Sequence, residues 1–186
     1  MGNSKKVIVR NLGSVDFEES FKIQKQIQNE IIDIKLNNRK NNLNLSTPNY
    51  LLFMEHNHVY TLGNSGDDKN LLFNEKELDK KGIKFIKTNR GGDITYHGPG
   101  QLVCYPIFDL ENFYTDIHRY LRDLEEIIVG TLDHFGIVAF GNPNETGVWL
   151  DIGSKNERKI CAMGIKVSRW VTMHGLALNV NTDLSY

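Results

Sequence analysis

A short glycine-rich segment, residues 90–102 (RGGDITYHGPGQL), holds the residues best suited to binding a small molecule. Four glycines and one proline accompany Arg90 and His97, and apolar runs flank the segment at 83–86 and 102–108. A glycine pair lets the backbone approach a ligand closely or take positive φ, and Gly-Pro-Gly favours a sharp turn. The pattern predicts a loop that forms the wall of a ligand site. A long hairpin with rigid turns is the alternative.

Lys159 lies two residues before Cys161 in a predicted strand. An ammonium close to a thiol favours the thiolate and lowers the pKa of the thiol. Taken alone, Lys159 also fits the charged end of a hairpin, since Glu157 and Arg158 precede it. Strand alternation would place Lys159 and Cys161 on one face, which makes Cys161 the candidate for a substitute nucleophile. Cys104 lies in an apolar run and is predicted to be a small buried side chain.

The histidines fit structural roles better than metal binding. His97 and His174 flank the predicted site in sequence, and we expect both to be pocket or scaffold groups. His56 and His58 would share a strand face. No third ligand with convincing spacing accompanies them, so no metal site is predicted.

Two amphipathic helices are expected to support these groups. An apolar stripe at helical spacing predicts a helix over residues 16–36, in which Asp16 and Glu19 have the spacing of a capping box. The asparagine-rich residues 37–49 can bury little apolar area, so they predict a mobile surface loop. The strongest helical pattern covers residues 116–135, directly before a glycine that fits the end of a helix.

The other apolar runs predict strands, and a short helix over 74–81 is expected to close at Gly82. No repeat and no linker divides the chain, so residues 1–186 predict one domain. The order of elements favours the α+β class, with a mixed, mainly antiparallel sheet and helices packed on it. The predicted strands are 6–10, 49–55, 83–86, 94–96, 102–108, 137–140, 147–150, 159–167 and 171–180.

Composition excludes several classes of function. The formal net charge of −1 on 186 residues argues against a nucleic-acid binder, which usually carries a basic surplus. No apolar run is long enough for a transmembrane helix, and the first apolar run is too short for a signal peptide. Two cysteines in such a chain predict free thiols. We therefore expect a cytoplasmic protein with no nucleic-acid or membrane partner.

Five segments resemble signature elements of one family, the lipoyl(octanoyl) transferases. The glycine-rich segment together with the strand after it, RGGDITYHGPGQLVCYPIFDL, carries the most specific likeness. The likeness runs from about Met54 onward, and the other four segments keep the family's order: EHNHVYTLG at 55–63, TGVW at 146–149, KICAMG at 159–164 and HGLALN at 174–179.

The resemblance implies the catalytic-domain fold of biotin and lipoate ligases. It also implies transfer of an octanoyl group from octanoyl-acyl carrier protein to a specific lysine of lipoyl domains, through a cysteine thioester. This would be the first step of endogenous protein lipoylation. The implied acceptors are the lipoyl domains of 2-oxoacid dehydrogenase complexes and the glycine cleavage H protein. Since the donor is already a thioester, no ATP and no other cofactor is implied.

Site residues follow from the resemblance by position. Lys159 is implied to lower the pKa of the nucleophilic cysteine. Burying the acyl tail in an apolar tunnel could contribute ~5 kcal/mol. A basic rim is expected to steer the acidic carrier protein, with Lys80, Lys81, Lys84 and Lys87 as candidates. The implied substrate-binding residues are Arg90, Gly91, Gly92, Asp93, Ile94, Thr95, Tyr96, His97, Ala162, Met163, Gly164, Gly175, Leu176 and Ala177.

One family element is not among these residues. The family's nucleophile is a cysteine in a PCG segment that follows HGLAL, and the 186 residues end at Tyr186, before such a segment. Cys104 and Cys161 do not match its position. We therefore expect the 186 residues alone to lack the family's C-terminal segment and transferase turnover. Two alternatives stay open: an ATP-dependent lipoate or biotin ligase of the same fold, and a non-catalytic acyl-binding module.

Overall fold

Ten strands and three helices make up residues 5–186, the part of the chain that this computed structural model describes. Two single 3₁₀ turns, Asp68–Asn70 and Leu110–Asn112, lie between them. In chain order the elements are β1 (Val7–Ser14), α1 (Phe17–Asn41), β2 (Asn49–Glu55), β3 (Val59–Leu62), α2 (Glu75–Lys81), β4 (Lys84–Lys87), β5 (Ile94–His97), β6 (Gln101–Ile107), α3 (Ile117–His134), β7 (Phe140–Asn142), β8 (Glu145–Leu150), β9 (Arg158–Ser168) and β10 (Val171–Asn179).

The strands form two sheets. The larger has seven strands in the order β1-β2-β6-β10-β9-β8-β7, and the smaller has three in the order β4-β3-β5. β1 pairs with β2 and β3 with β4 in parallel, whereas every other pairing between these strands is antiparallel. This arrangement confirms the predicted α+β class with a mixed, mainly antiparallel sheet.

The two long helices cover opposite faces of the seven-stranded sheet, which we call the α1 face and the α3 face. Alternation along each strand assigns its side chains to one face or the other. Buried side chains on the α1 face pack with Ile27 and Ile31 of α1, and they include Leu52, Val103, Tyr105, Met173 and Ala177. Those on the α3 face pack with Ile128 and Leu132 of α3, and they include Cys104, Val148, Cys161, Leu176 and Leu178.

The first helix is longer than predicted. It begins after its N-cap Asp16, whose side chain accepts from the Glu18 N–H at 2.9 Å, and it runs on to Asn41. The predicted loop 37–49 is therefore wrong in its first five residues. Asn38 explains the extension, because its side chain bonds both the N–H and the carbonyl of Leu45 and folds the next segment back onto the helix. The reciprocal capping box forms instead at α2, between Asn74 and Glu77.

The strands agree with the predicted ones in place more closely than in extent. β2 has the predicted bounds, and α3 begins and ends within one residue of prediction. β7 lies at 140–142 instead of 137–140, and β3 was not predicted as a strand.

Among the helices of residues 5–186, none is both long and apolar enough to cross a bilayer.

Candidate active site

A small cavity of about 20 Å³ lies on the α1 face, where β9 and β10 meet the glycine-rich loop and the first turn of α1. Three separate segments of the predicted substrate-binding set converge on it, from the loop, from β9 and from β10. Its lining residues are Phe17, Arg90, Thr95, His97, Tyr105, Ala162, Met163, Gly164, His174, Gly175, Leu176 and Ala177.

Arg90 is a buried cation without a carboxylate partner. It is 7% exposed, and its Nη2 donates to the carbonyl and the hydroxyl of Thr61 at 2.6 and 2.8 Å, while Nη1 donates to the Gly91 carbonyl at 3.1 Å. No carboxylate of residues 5–186 forms an ion pair with it. Burial lowers the pKa of the guanidinium from its ordinary value, but arginine stays protonated in proteins. The cavity therefore has a fixed positive charge in its wall.

Backbone contact between the loop and β9 closes one side of the cavity. The Gly91 N–H donates to the Ile165 carbonyl at 2.9 Å. A Cβ on Gly164 would lie 2.6 Å from the Gly91 carbonyl oxygen, so a glycine is required at 164 for this approach. Gly92 requires glycine for a different reason. Its φ of +86° is unfavourable for other residues, whereas a Cβ there would meet no clash, since the nearest atom would be 3.5 Å away. Neither Gly91 nor Gly92 is among the lining residues, and for both a direct role in binding stays a prediction.

Two neutral imidazoles line the cavity. Nδ1 of His97 lies 2.7 Å from the Gln101 side-chain oxygen, and Nε2 of His174 lies 2.8 Å from the Asn89 side-chain oxygen. Because these oxygens accept, each ring donates through that nitrogen and keeps the other as an acceptor. The pKa of both histidines is lowered to about 3, chiefly by burial, and the Arg90 cation contributes to the shift. The prediction that both are pocket or scaffold groups agrees with these positions.

The backbone of His174 is in the left-handed region, with a φ of +62° inside a strand. Such a conformation is costly for a residue with a side chain. The residue is held there on the α1 face: its N–H donates to Gln24 of α1 at 2.9 Å, and its ring lies 5.7 Å from that of Phe21. The local strain therefore places an imidazole beside α1 and against the cavity.

His56 and His58 have separate environments. Nδ1–H of His56 donates to the Val15 carbonyl at 2.7 Å, and Nε2 accepts from the Tyr105 hydroxyl at 2.9 Å. His58 instead bonds the Tyr96 hydroxyl through Nδ1 at 2.7 Å and stacks on another aromatic ring. Residues 5–186 hold no cluster of metal-binding side chains. The role of His56 is to hold Tyr105, whose ring lines the cavity.

Some predicted substrate-binding side chains do not reach the cavity. Strand alternation in β5 turns Thr95 and His97 toward it, and Ile94 and Tyr96 away from it. Tyr96 stacks on Tyr186 with ring centroids 5.3 Å apart, on the outer side of the three-stranded sheet. Asp93 accepts from the side chain of Asn70. For Asp93, Ile94 and Tyr96 a direct role in binding stays a prediction.

Lys159 faces the cavity side of the sheet, although it does not line the cavity itself. Val148 pairs with Cys161 and Trp149 pairs with Lys159, so β9 has one extra residue, Ile160, between the two pairs. Paired residues share a face and adjacent ones alternate, so Cys161 lies on the α3 face and Lys159 on the α1 face. The expectation that Lys159 and Cys161 share a face is wrong, because this bulge reverses the alternation.

Neither cysteine is suited to be a nucleophile in this fold. Burial raises the pKa of both thiols to about 12. Cys104 and Cys161 lie in the core of the α3 face with Ile128 and Leu132. The prediction of a buried small side chain holds for Cys104 and applies to Cys161 as well.

The candidate basic rim is partly neutralised. Lys84 pairs with Asp16 at 2.7 Å, and Lys87 pairs with Asp68 at 2.6 Å. Lys81 lies over the ring of Tyr186, with Nζ 5.2 Å from its centroid. Of the four candidate lysines, two therefore have carboxylate partners that weaken their attraction for an acidic protein.

Sequence reasoning missed two aromatic residues that line the cavity, Phe17 and Tyr105. Phe17 is the first residue of α1, and its ring stacks 5.9 Å from that of His97. Its position after the N-cap Asp16 marks a helix start, but nothing local indicates that this helix end faces β5. Tyr105 lies in a predicted strand, and its place on the α1 face follows only from the tertiary structure, in which it pairs with Leu52 of β2.

Comparisons with known proteins agree with this geometry. Residues 19–186 match the family described as the lipoyl protein ligase A/B catalytic domain. Relatives named octanoyltransferase include one from Christiangramia forsetii, 59% identical over 98% of this chain and 78% of its own length. Another, from Flavobacterium johnsoniae, is 58% identical over 98% of this chain and 79% of its own length.

Solved structures share the fold at low sequence identity. A bipartite lipoate protein ligase from Thermoplasma acidophilum, solved as part of an archaeal lipoylation system, has a TM-score of 0.65 and 20% identity over 96% of this chain and 64% of its own. A putative lipoate protein ligase from the same organism has a TM-score of 0.67 and 18% identity over 96% of this chain and 70% of its own. These likenesses establish the fold that the sequence motifs imply.

Proposed function

Because this chain belongs to the octanoyltransferases of the lipoyl protein ligase A/B catalytic-domain family and is an acyltransferase, we propose that it moves an octanoyl group from octanoyl-acyl carrier protein to a lysine of lipoyl domains. A cysteine thioester is the proposed intermediate, and residues 1–186 act as one acyltransferase domain. The proposed acceptors are the lipoyl domains of 2-oxoacid dehydrogenase complexes and the glycine cleavage H protein. The proposed location is the cytoplasm, where thiols stay reduced.

One observation carries this proposal: three distant segments, around Arg90, Gly164 and Gly175, converge on a single cavity. The cavity combines small residues, which leave room for an acyl chain, with a fixed cation. The Arg90 guanidinium is suited to stabilise negative charge that develops on a carbonyl oxygen, since it needs no reorganisation at the moment of reaction. The neutral rings of His97 and His174 add hydrogen-bond acceptors without adding charge.

The acyl chain requires the cavity to open. A volume of about 20 Å³ accommodates a water molecule, whereas an octanoyl tail is several times larger. Phe17 and the glycine-rich loop form its walls on two sides. We propose that the acyl chain displaces the Phe17 ring or the loop and that apolar burial drives the displacement.

The reacting thiol belongs to the PCG segment of the family. Its thiolate attacks the thioester carbonyl of the donor, and a new C–S bond forms as the carrier's thiolate leaves and takes up a proton. The lysine amine of the lipoyl domain then attacks, an amide bond forms, and the cysteine thiolate leaves. The Lys159 ammonium is proposed to stabilise that thiolate and to give a proton to the carrier's leaving thiolate. The neutral amine of Lys159 then accepts the proton that the attacking lysine amine loses, which restores the ammonium.

The proposal is tested with a polypeptide that carries the PCG segment in addition to the 186 residues. Incubated with octanoyl-acyl carrier protein and a lipoyl domain, it should acylate the domain without ATP, as followed by intact mass. The PCG cysteine replaced by serine is the control, and the 186 residues alone should give no turnover. A strict requirement for ATP would identify a ligase instead, and turnover by the 186 residues alone would refute the assignment of the thiol.

A further inference from the structure

The ammonium of Lys159 rests on an aromatic ring instead of a close carboxylate. Its Nζ lies 4.5 Å from the centroid of the Trp149 ring, within the range of a cation–π interaction. The nearest ion-pair partner, Glu145, lies at 3.9 Å, the outer limit of such a pair, and its side chain is 58% exposed. An exposed pair of this length contributes little. The indole is therefore the principal support for the ammonium.

The bulge in β9 creates this contact. Trp149 and Lys159 are partners across β8 and β9. Trp149 lies on the α1 face by ordinary alternation from Val148, and the extra residue Ile160 turns Lys159 onto the same face. Without the bulge, alternation would direct Lys159 into the apolar core beside Cys161. The irregular pairing thus keeps Lys159 on the same face as Ala162, which lines the cavity.

Gly147 provides the space for the stem of Lys159. Its φ is +126°, and a Cβ there would lie 3.2 Å from Cδ and 3.3 Å from Cε of Lys159, and 2.6 Å from the Cys161 carbonyl oxygen. The Gly147 N–H donates to Glu125 of α3 at 2.8 Å, and Glu125 is buried. The backbone under the lysine stem is therefore anchored from the opposite side of the sheet.

An aromatic support has a consequence that a carboxylate would not have. A carboxylate close to the ammonium would compensate its charge, and the field that reaches a nearby thiol would weaken. The ring quadrupole of Trp149 attracts the ammonium but carries no net charge. With only the long pair to Glu145 beside this support, Lys159 keeps most of its electrostatic attraction for a thiolate.

We propose that Trp149 and Gly147 are positioning residues that hold the Lys159 ammonium on the cavity face, with only a long, exposed ion pair to Glu145. The Trp149 ring contacts the ammonium, and the missing side chain at Gly147 leaves space for the methylene groups of Lys159. The inference rests on the proposed function, in which Lys159 activates the thiol, but the arrangement of the three residues is testable without any reaction.

The arrangement is tested by NMR on the 186-residue chain. Protons that lie over an aromatic face are shifted upfield, so the Cδ and Cε protons of Lys159 should resonate upfield of those of an exposed lysine such as Lys155. Trp149→Leu should return them to the ordinary position, and Trp149→Phe should keep part of the shift. Ordinary positions in the parent protein would overturn the proposal. Since Trp149→Phe keeps an aromatic ring in the strand, it serves where the leucine variant does not fold.

The functional consequence is tested in the polypeptide that carries the PCG segment. Trp149→Leu should slow acylation of the thiol about 5- to 30-fold and move its pH profile to higher pH, because the thiol pKa rises when the ammonium is displaced. Trp149→Phe should lose less, and Lys155→Ala should leave the rate unchanged. Equal losses for the phenylalanine and leucine variants would show that the ring face is not what matters.

A double variant separates this inference from the proposed function. In a Lys159→Ala background, Trp149→Leu should cause no further loss, because its effect passes through the lysine. If Lys159→Ala slows acylation but Trp149→Leu does not, the positioning role is wrong and the role of Lys159 stands. If Lys159→Ala itself has no effect, the proposed thiol activation is wrong, even where the NMR shifts confirm the arrangement.

Discussion

Two buried cations of nearly equal exposure are held in opposite ways in this fold. Lys35 of α1, 6% exposed, pairs with Asp109 at 2.5 Å and with Glu111 at 3.2 Å. Arg90, 7% exposed, is bound by the carbonyl and hydroxyl oxygens of Thr61 and by another backbone carbonyl. The first cation forms ion pairs with two carboxylates, whereas no carboxylate of residues 5–186 forms an ion pair with the second.

The difference distinguishes a structural ion pair from a cation in the wall of the candidate site. The Lys35 pair joins α1 to the 3₁₀ turn Leu110–Asn112, far in sequence from the helix, and its charges satisfy each other. Arg90 keeps its field directed into the cavity, beside two histidines that burial holds neutral. A buried cation without an ion-paired carboxylate is unfavourable for stability, so we expect Arg90 to be needed for the reaction more than for folding.

The largest expected effect is on stability, from Lys35→Met. Removing the lysine leaves the Asp109 carboxylate buried without its closest partner, which should cost about 3–5 kcal/mol of unfolding free energy. Arg90→Met removes hydrogen bonds to neutral oxygens and should cost about 1–2 kcal/mol. Urea unfolding of the two variants and the parent measures both values. Equal losses of unfolding free energy would show that the ion pair of Lys35 and the neutral contacts of Arg90 contribute alike to stability.

Acid should destabilise the cavity region next most strongly. His97 and His174 have pKa values lowered to about 3, against 6.5 for an ordinary histidine. The unfolded chain therefore binds more protons than the folded one between these values, so their stabilisation is complete above pH 6.5 and is lost as the pH falls toward 3. The slope should be about 1.4 kcal/mol per pH unit for each histidine.

The variant His174→Asn, compared with the parent between pH 7 and 5, isolates one of these contributions. Urea unfolding at each pH should show a shallower loss of stability for the variant. An unchanged slope would mean that His174 is protonated in the folded protein or exposed to water.

The two cations should also differ in their effect on the reaction rate. In a polypeptide with the PCG segment, Arg90→Met should lower the rate of thiol acylation about 10- to 100-fold, as expected for a lost charged hydrogen bond to the developing oxyanion. Lys35→Met should leave the rate per folded molecule near that of the parent. Stopped-flow acylation, corrected for the folded fraction, measures both. A larger loss for Lys35→Met would contradict the assignment.

The smallest expected effect concerns the approach of the loop to β9. Gly164→Ala places a Cβ against the Gly91 carbonyl and should push the loop away, which should weaken octanoate binding about tenfold. Gly130→Ala on α3 is the matched control, because nothing lies within 4 Å of its Cβ position. Calorimetric titration with octanoate compares them. Equal affinities would place the acyl pocket away from this contact.

Local patterns were sufficient to predict most elements and the segments that meet at the cavity. Asp16 and Asp116 cap the helices as their sequence positions indicate, and β2 has its predicted bounds. Caps, periodicity and glycine turns are interactions between residues close in sequence, so the sequence carries them directly. The end of α1 was missed because its last turns depend on bonds that Asn38 makes with a segment several residues further on.

The sequence by itself thus determined the family, the α+β class and the segments around Arg90, Gly164 and Gly175 that meet at the cavity, and it predicted Lys159 as the catalytic residue. Only the tertiary structure decided which face of the sheet these side chains lie on and which atoms surround them. The bulge that separates Lys159 from Cys161 arises from the register between β8 and β9. The lone charge of Arg90 is also invisible in sequence, because it depends on which distant oxygens surround the guanidinium. Side-chain alternation is a property of one strand, whereas register, burial and charge pairing are set by residues that only folding brings together.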